Sequence, residues 1–316
     1  MNNKNINFCF VRHGYSCTNA LSNLVKNNVI NLEESNNFLN NINTNINLNP
    51  LNDPELTPIG VDASINNGCI ISKIIRSIYK LTGKKELNIE KINIVGCSPL
   101  IRCMETAYYM TRKWNNPPNK IYVFPLLREI DESSDDKYSQ KSRIRMERKP
   151  SYAIKTIEEQ KQYLKNLGIL KYFDFTFVEK FPNLRTEPGD IKIFIKWFYD
   201  NFLPLINYNN NLNIFITTHA GVLRDFSDEG FVNNSGFLIN TQQNQKGIFE
   251  FKDYISFNNL LPNFFFKDYS NSTYNGKEYF CPNNRCGQLC SIAKGKDVSF
   301  TEKIKIIECS SEMEDL

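Results

Sequence analysis

The chain has 316 residues, 41% of them hydrophobic and 13% aromatic, enough to bury a sizeable core in one large domain or two small ones. Its 38 basic and 34 acidic residues leave a net charge of only +4, too little to argue for a nucleic-acid or membrane partner over the whole surface. The first residues carry no charged-then-apolar signal pattern and no segment is apolar for long enough to span a bilayer, so a soluble cytoplasmic protein is expected, with the nine cysteines as reduced thiols.

Asn7 to Val11 is a short apolar run, and runs of the same kind recur at Ile92 to Cys97, Ile121 to Phe124 and Asn213 to Thr217. Length and β-branched content predict four buried strands. Helical patterns lie between them: Thr57 to Leu81, with Ile59, Ala63, Ile70, Ile71, Ile74, Ile75 and Ile78 on one side, then Leu100 to Trp114, then Ile191 to Leu205. Alternating strands and helices predict an α/β fold, a three-layer sandwich in which a mostly parallel sheet carries helices on both faces. Inserted helical or irregular segments are expected at 21–52, which is Asn-rich, and at 131–189, which is mostly polar. The domain is expected to run over residues 1–252, with an aromatic-rich, irregular extension at 253–316 packed on it.

Polar clusters follow each of the four strands. Arg12-His13-Gly14 comes after the first, Ser98-Pro99-Leu100-Ile101-Arg102 after the second, Leu127-Arg128-Glu129 after the third and His219-Ala220-Gly221 after the fourth. In an open α/β sheet the carboxyl ends of the strands form the ligand-binding edge. One such cluster is ordinary turn chemistry; four on one edge point to a site. The chain has two histidines, and both stand at these strand ends beside glycine.

The segment Arg12 to Asn19, reading R-H-G-Y-S-C-T-N, resembles the R-H-G-x-[ST]-x-x-N signature of the histidine phosphatase superfamily, the branch that includes cofactor-dependent phosphoglycerate mutases. Asp53 to Gly60 is similar to the family's D-x-x-L-T-x-x-G helix entry, with Thr57 as N-cap and Pro58 as first helical residue. Ser98 to Ala107 resembles S-P-L-x-R-x-x-x-T-A, and Thr218 to Gly221 resembles the second-histidine motif. The matches run in family order from Phe8 to Asp225; the long insertions and the last quarter of the chain fall outside them.

The resemblance implies that His13 attacks phosphorus as a neutral imidazole, its other ring nitrogen held by a carbonyl in the loop at Gly14 to Ser16. Arg12, Arg102, Ser16, Asn19 and His219 would bind the phosphoryl group, with His219 a further positive donor if protonated. Glu129 would protonate the leaving oxygen and then activate water, which requires a raised pKa. No metal or cofactor is implied. The substrate would be a small phosphorylated molecule or a phosphoprotein, and nothing in the sequence indicates an oligomeric state.

Tyr15 stands where the family's mutases carry Glu, and 20–52 is longer than their compact loop, which favours hydrolysis over a mutase reaction. A binding or scaffold protein on the same fold is the alternative from another class; it predicts decay of the polar set. Two further features stand outside the motif set. Lys137, Lys141, Arg143, Arg145, Arg148 and Lys149 follow Glu129, as either a selector for a second anionic group or a solvated helix face. Cys281, Cys286 and Cys290 lack the paired spacing and fourth ligand of a zinc site, and read as ordinary thiols.

Overall fold

A computed structural model describes residues 5–20, 53–83, 89, 91–130, 154–207, 211–243 and 249–257. The expected insertion 21–52, the basic cluster between Lys137 and Lys149, Phe264 to Phe266 and the cysteines from Cys281 onward lie outside the described residues.

In chain order the named elements are β1 (Asn5–Arg12), α1 (Pro58–Thr82), β2 (Ile94–Cys97), α2 (Ile101–Thr111), β3 (Ile121–Val123), α3 (Ile157–Asn166), β4 (Phe173–Asp174), α4 (Thr176–Lys180), α5 (Pro182–Thr186), α6 (Ile191–Trp197), β5 (Leu212–Thr218), α7 (Ala220–Ser227), β6 (Gly236–Gln243) and β7 (Phe249–Ser256). The strands form one sheet of order β4-β3-β2-β5-β1-β6-β7. Its four pairings from β4 to β1 are parallel, and β6 and β7 add an antiparallel edge. The expected α/β class with a mostly parallel sheet is the observed one.

Side chains alternate between the two faces of a strand, and β1 is apolar on both. Cys9 and Val11 join Ile71, Ile75, Met104 and Met110, so α1 and α2 cover one face. Phe8 and Phe10 join Phe194, Phe198, Val222 and Leu223, so α6 and α7 cover the other. The second face is built from aromatic rings: Phe8 meets Phe198 edge-on at 5.4 Å between centroids, and Phe124 meets Phe202 at 5.2 Å.

A local signal sets the start of α1 as expected. Thr57 Oγ1 accepts from the Gly60 amide at 3.0 Å and donates to the Tyr15 carbonyl at 3.0 Å, so one hydroxyl caps the helix and ties it to the loop after β1. The helix expected at 191–205 is regular only to Trp197, then widens into a π turn (Phe198–Phe202) and tightens into a 3-10 turn (Leu203–Leu205).

Three expectations need correction. The second half of the expected 131–189 insertion is part of the fold: α3 and α4 contribute Leu164 and Val178 to the core, and β4 extends the sheet. The expected limit of the domain at residue 252 falls inside a strand, because β7 pairs with β6 over its length and carries strand geometry on to Ser256. Finally, Cys17 and Cys69 are disulfide-bonded, while Cys9, Cys97 and Cys103 are free and buried. Among the described residues no helix is long and apolar enough to cross a membrane.

The contact between α1 and α2 is close at Gly68, where an added Cβ would meet the Met110 carbonyl oxygen at 2.0 Å. Trp114 Nε1 donates to the Gly68 carbonyl at 2.9 Å across the same gap. Gly68→Ala should therefore destabilise the protein by about 1–3 kcal/mol in urea unfolding, by forcing the helices apart. Helix propensity alone predicts the opposite sign, a gain of about 1 kcal/mol, and a gain would refute the close approach.

Candidate active site

The site sits on the carboxyl edge of the three central strands β2, β5 and β1. Backbone bonds carry the ladder past the strand ends: the His13 amide donates to the Thr218 carbonyl at 2.9 Å, and the Ser98 amide to the Thr217 carbonyl at 2.9 Å. Those two bonds bring the loop of Arg12 to Gly14, the Ser98 turn and His219 into register. The rings of His13 and His219 lie 5.2 Å apart between centroids.

His13 is 2% exposed. Its Nδ1 lies 2.7 Å from the Gly14 carbonyl oxygen. A carbonyl can only accept, so Nδ1 carries the proton and Nε2 the lone pair. Arg102 Nε donates to that Nε2 at 3.2 Å. Arg12 directs one guanidinium nitrogen to the Phe231 carbonyl at 2.6 Å. Its charge is felt at His13, Glu129 and His219 alike.

Burial, and then the Arg102 and Arg12 cations, push the pKa of His13 well below the usual 6.5, against the opposing pull of the Gly14 carbonyl. Burial likewise lowers His219, followed by the repulsion of Arg102. His219 is thus a neutral ring in this structure rather than a third cation. Its Nε2 lies 2.8 Å from Ser98 Oγ, and its Nδ1 faces Glu129 Oε2 at 3.6 Å.

Glu129 moves the other way. Burial raises its pKa, and Arg102, Arg12 and the amides of Gly221 and Ile130 only partly offset the rise. Oε1 accepts from Gly221 N at 3.1 Å, and Oε2 lies 3.8 Å from an Arg102 nitrogen. A Cβ on residue 221 would come within 2.9 Å of Glu129 Oε1, so glycine there lets α7 start against the carboxyl group. Arg128 donates to the Thr186 carbonyl at 2.5 Å, and its charge adds to the repulsion at His219.

The structure brings together His13, Arg12, Arg102, Glu129 and His219. Ser16 and Asn19 share the loop, but the Ser16 hydroxyl donates to Asn19 Oδ1 at 3.0 Å rather than standing ready for a ligand. Ligand atoms of His13, Glu129 and His219 lie within 4.8 Å of one another, a spacing that suits a metal ion. Two guanidinium groups occupy the same space, however, and favour an anion over a cation.

Sequence reading assigned no role to the residues that hold this set in place: Asp53 and Thr106 stand in the motifs, and Gln160 and Asn233 lie outside them. Asp53, fully buried, accepts from the Ile101 amide at 2.7 Å and so caps the helix that carries Arg102. Gln160 of α3 donates to the other Asp53 oxygen at 2.6 Å and to the Pro99 carbonyl at 2.7 Å. Thr106 accepts from the Gly14 amide at 2.9 Å, tying the loop of His13 to α2. Asn233 donates to the His13 carbonyl at 2.9 Å. For Asn233 the available signal was the turn-forming run Asn233-Asn234-Ser235 between α7 and an apolar strand; for Gln160 there was none.

Comparison of the sequence with protein-family models and with curated proteins finds no match.

The two buried rings make stability depend on pH in a definite direction. Each folded pKa lies below 6.5, so the unfolded chain takes up protons that the fold refuses. This contribution is complete above 6.5 and is lost as the pH falls below it. Glu129, raised from 4.5, opposes it by costing stability as the pH rises through that value. Urea unfolding between pH 7 and 5 should show stability falling with acid, by up to about 1.4 kcal/mol per pH unit for each histidine. His13→Gln and His219→Gln should each flatten that slope, and an unchanged slope in the double variant would contradict the burial of neutral rings.

Proposed function

We propose that the protein is a histidine phosphatase, which hydrolyses a phosphomonoester through a phosphohistidine on His13 with Glu129 as proton donor. The observation that supports it most is the nucleophile's state: a buried imidazole with Nδ1 held by the Gly14 carbonyl, its Nε2 lone pair facing Arg102. A phosphomonoester brings about two negative charges, and Arg12 and Arg102 supply two positive ones in planar forks.

In the first step Arg102 exchanges its bond to Nε2 for bonds to phosphoryl oxygens, which frees the lone pair. The Nε2–P bond forms as the P–O bond to the leaving group breaks, and the Glu129 proton goes to the leaving oxygen. Nδ1 keeps its proton throughout, and the imidazolium charge that develops is offset by the phosphoryl group. In the second step Glu129, now a carboxylate, takes a proton from water as the water oxygen bonds to phosphorus. The N–P bond breaks, its electron pair returns to Nε2 and inorganic phosphate leaves. Once Arg102 has made that exchange, the two guanidinium groups and His219 stay in place through both transition states and stabilise them.

The substrate in this reading is a small phosphorylated molecule or a phosphoprotein. The sequence signals favour a cytoplasmic location, against which the disulfide-bonded Cys17 and Cys69 point to a less reducing compartment.

An aryl phosphate is the simplest test. His13→Ala should lower kcat by about a thousandfold or more, and retention of activity would overturn the mechanism. Glu129→Gln should cost about 10²–10⁴-fold on alkyl phosphates and much less on aryl phosphates, whose leaving group needs no proton. The rate profile should be bell-shaped and displaced to acid. His13 must lose its proton, at a pKa below 6.5, and Glu129 must keep its own, at a pKa above 4.5. Glu129→Gln should erase the alkaline limb.

A further inference from the structure

We infer that Asn233 is a positioning residue that fixes the nucleophile loop and orients the Asn19 amide, turning its nitrogen toward the phosphoryl site. This assignment rests on the phosphatase reading above and extends it to a segment that the ordered motifs do not reach.

Side-chain amides can be placed either way round unless an obligate partner decides, and here two partners do. Asn233 is 1% exposed, and its amide faces the His13 carbonyl oxygen at 2.9 Å. A carbonyl cannot donate, so the facing atom is Nδ2. The Asn19 amide faces the backbone N–H of Ser16 at 3.1 Å, which cannot accept, so the facing atom is Oδ1. Asn233 Nδ2 approaches that same Oδ1 at 3.4 Å, and the Ser16 hydroxyl donates to it at 3.0 Å. Three donors on Asn19 Oδ1 leave one orientation for its amide, and its Nδ2 bonds no group of the described residues.

The surrounding backbone holds Asn233 as firmly as Asn233 holds the loop. The Asn234 amide donates to the Arg12 carbonyl at 3.1 Å, and the Arg12 amide donates to the Ser235 carbonyl at 2.8 Å. Asn234 has φ of 65°, a left-handed conformation that asparagine tolerates better than most residues, and its Oδ1 accepts from Ser64 of α1 at 3.1 Å. The segment after α7 thus grips both residues of the Arg12-His13 pair. An aspartate at 233 has the same shape but no donors, and its charge would repel both the His13 carbonyl and Asn19 Oδ1. The Ser16 amide and hydroxyl would still hold Asn19 Oδ1, so the Asn19 side chain would be pushed away from residue 233 and its nitrogen displaced from the incoming phosphate.

The experiment is a double-mutant cycle on full-length protein with an aryl phosphate as substrate and inorganic phosphate as competitive inhibitor. Asn233→Asp should lower kcat/KM about tenfold or more and raise KM and the phosphate inhibition constant together. In an Asn19→Ala background the rise in both constants should disappear, while the fall in kcat that acts through the His13 carbonyl persists. A purely structural role predicts no such selective cancellation. The assignment is overturned if Asn233→Asp leaves kcat and KM within about twofold of the parent, or if its effect on KM is undiminished without Asn19.

Should Asn233→Asp not fold, the parent protein decides. On titration with inorganic phosphate, saturable shifts of the Asn19 side-chain NH2 resonances support the assignment, and unmoved resonances overturn it. A parent without His13-dependent activity would overturn the phosphatase reading and this assignment with it. Failure of the cycle in an active, His13-dependent enzyme would overturn the assignment alone.

Discussion

The contact on which the rest of the site depends is the one from Arg102 to His13, at 3.2 Å across the ends of β2 and β1. It places a permanent cation on the lone pair of a buried ring, and each flanking device serves to keep that pair in place. Asp53 caps the helix that presents the arginine, and Thr106 ties that helix to the loop of the histidine. The Gly14 carbonyl settles the tautomer. Burial first, and the repulsion of this cation second, disfavour the charged form of both imidazoles, and the neutral form is the one that a nitrogen nucleophile requires.

The same electrostatics separates the titratable groups by function. Burial penalises charge, so it lowers the two histidines and raises Glu129, moving base and acid toward each other on the pH scale. A carboxyl group shifted toward keeping its proton beside an imidazole shifted toward losing its own is the pairing that a proton donor and a nucleophile need. Two guanidinium groups beside the same pair of rings favour an anion over a cation, which is why the proposed substrate is a phosphate ester. The proposed activity follows from this arrangement of charge and from no single residue.

Much of this was legible in the sequence because it depends on local chemistry. The four central strands announce themselves as apolar runs, and the polar clusters after them mark the carboxyl edge. Thr57 and Pro58 carry a helix-entry signal that needs no tertiary context. What was not legible depends on partners distant in the chain. Gln160 lies in a polar helical stretch that resembles a solvated surface, and its role exists only because Asp53 and Pro99 are brought to it from elsewhere. Asn233 reads as turn chemistry until the fold sets it against His13. β4 is two residues long, and β6 and β7 alternate too weakly to be distinguished from an irregular tail. His219 shows a different limit, since its charge state is set by burial, which composition does not reveal.

The central claim is that His13 Nε2 becomes covalently bonded to phosphorus. Rapid quenching of the enzyme with a phosphate ester labelled on phosphorus, followed by alkaline workup and peptide mapping, tests it directly, because an N–P bond is lost in acid and survives base. The account predicts label on the peptide that contains His13, lost on brief acid treatment and absent from His13→Ala. Turnover with no acid-labile label on that peptide, or label on another residue, would contradict it.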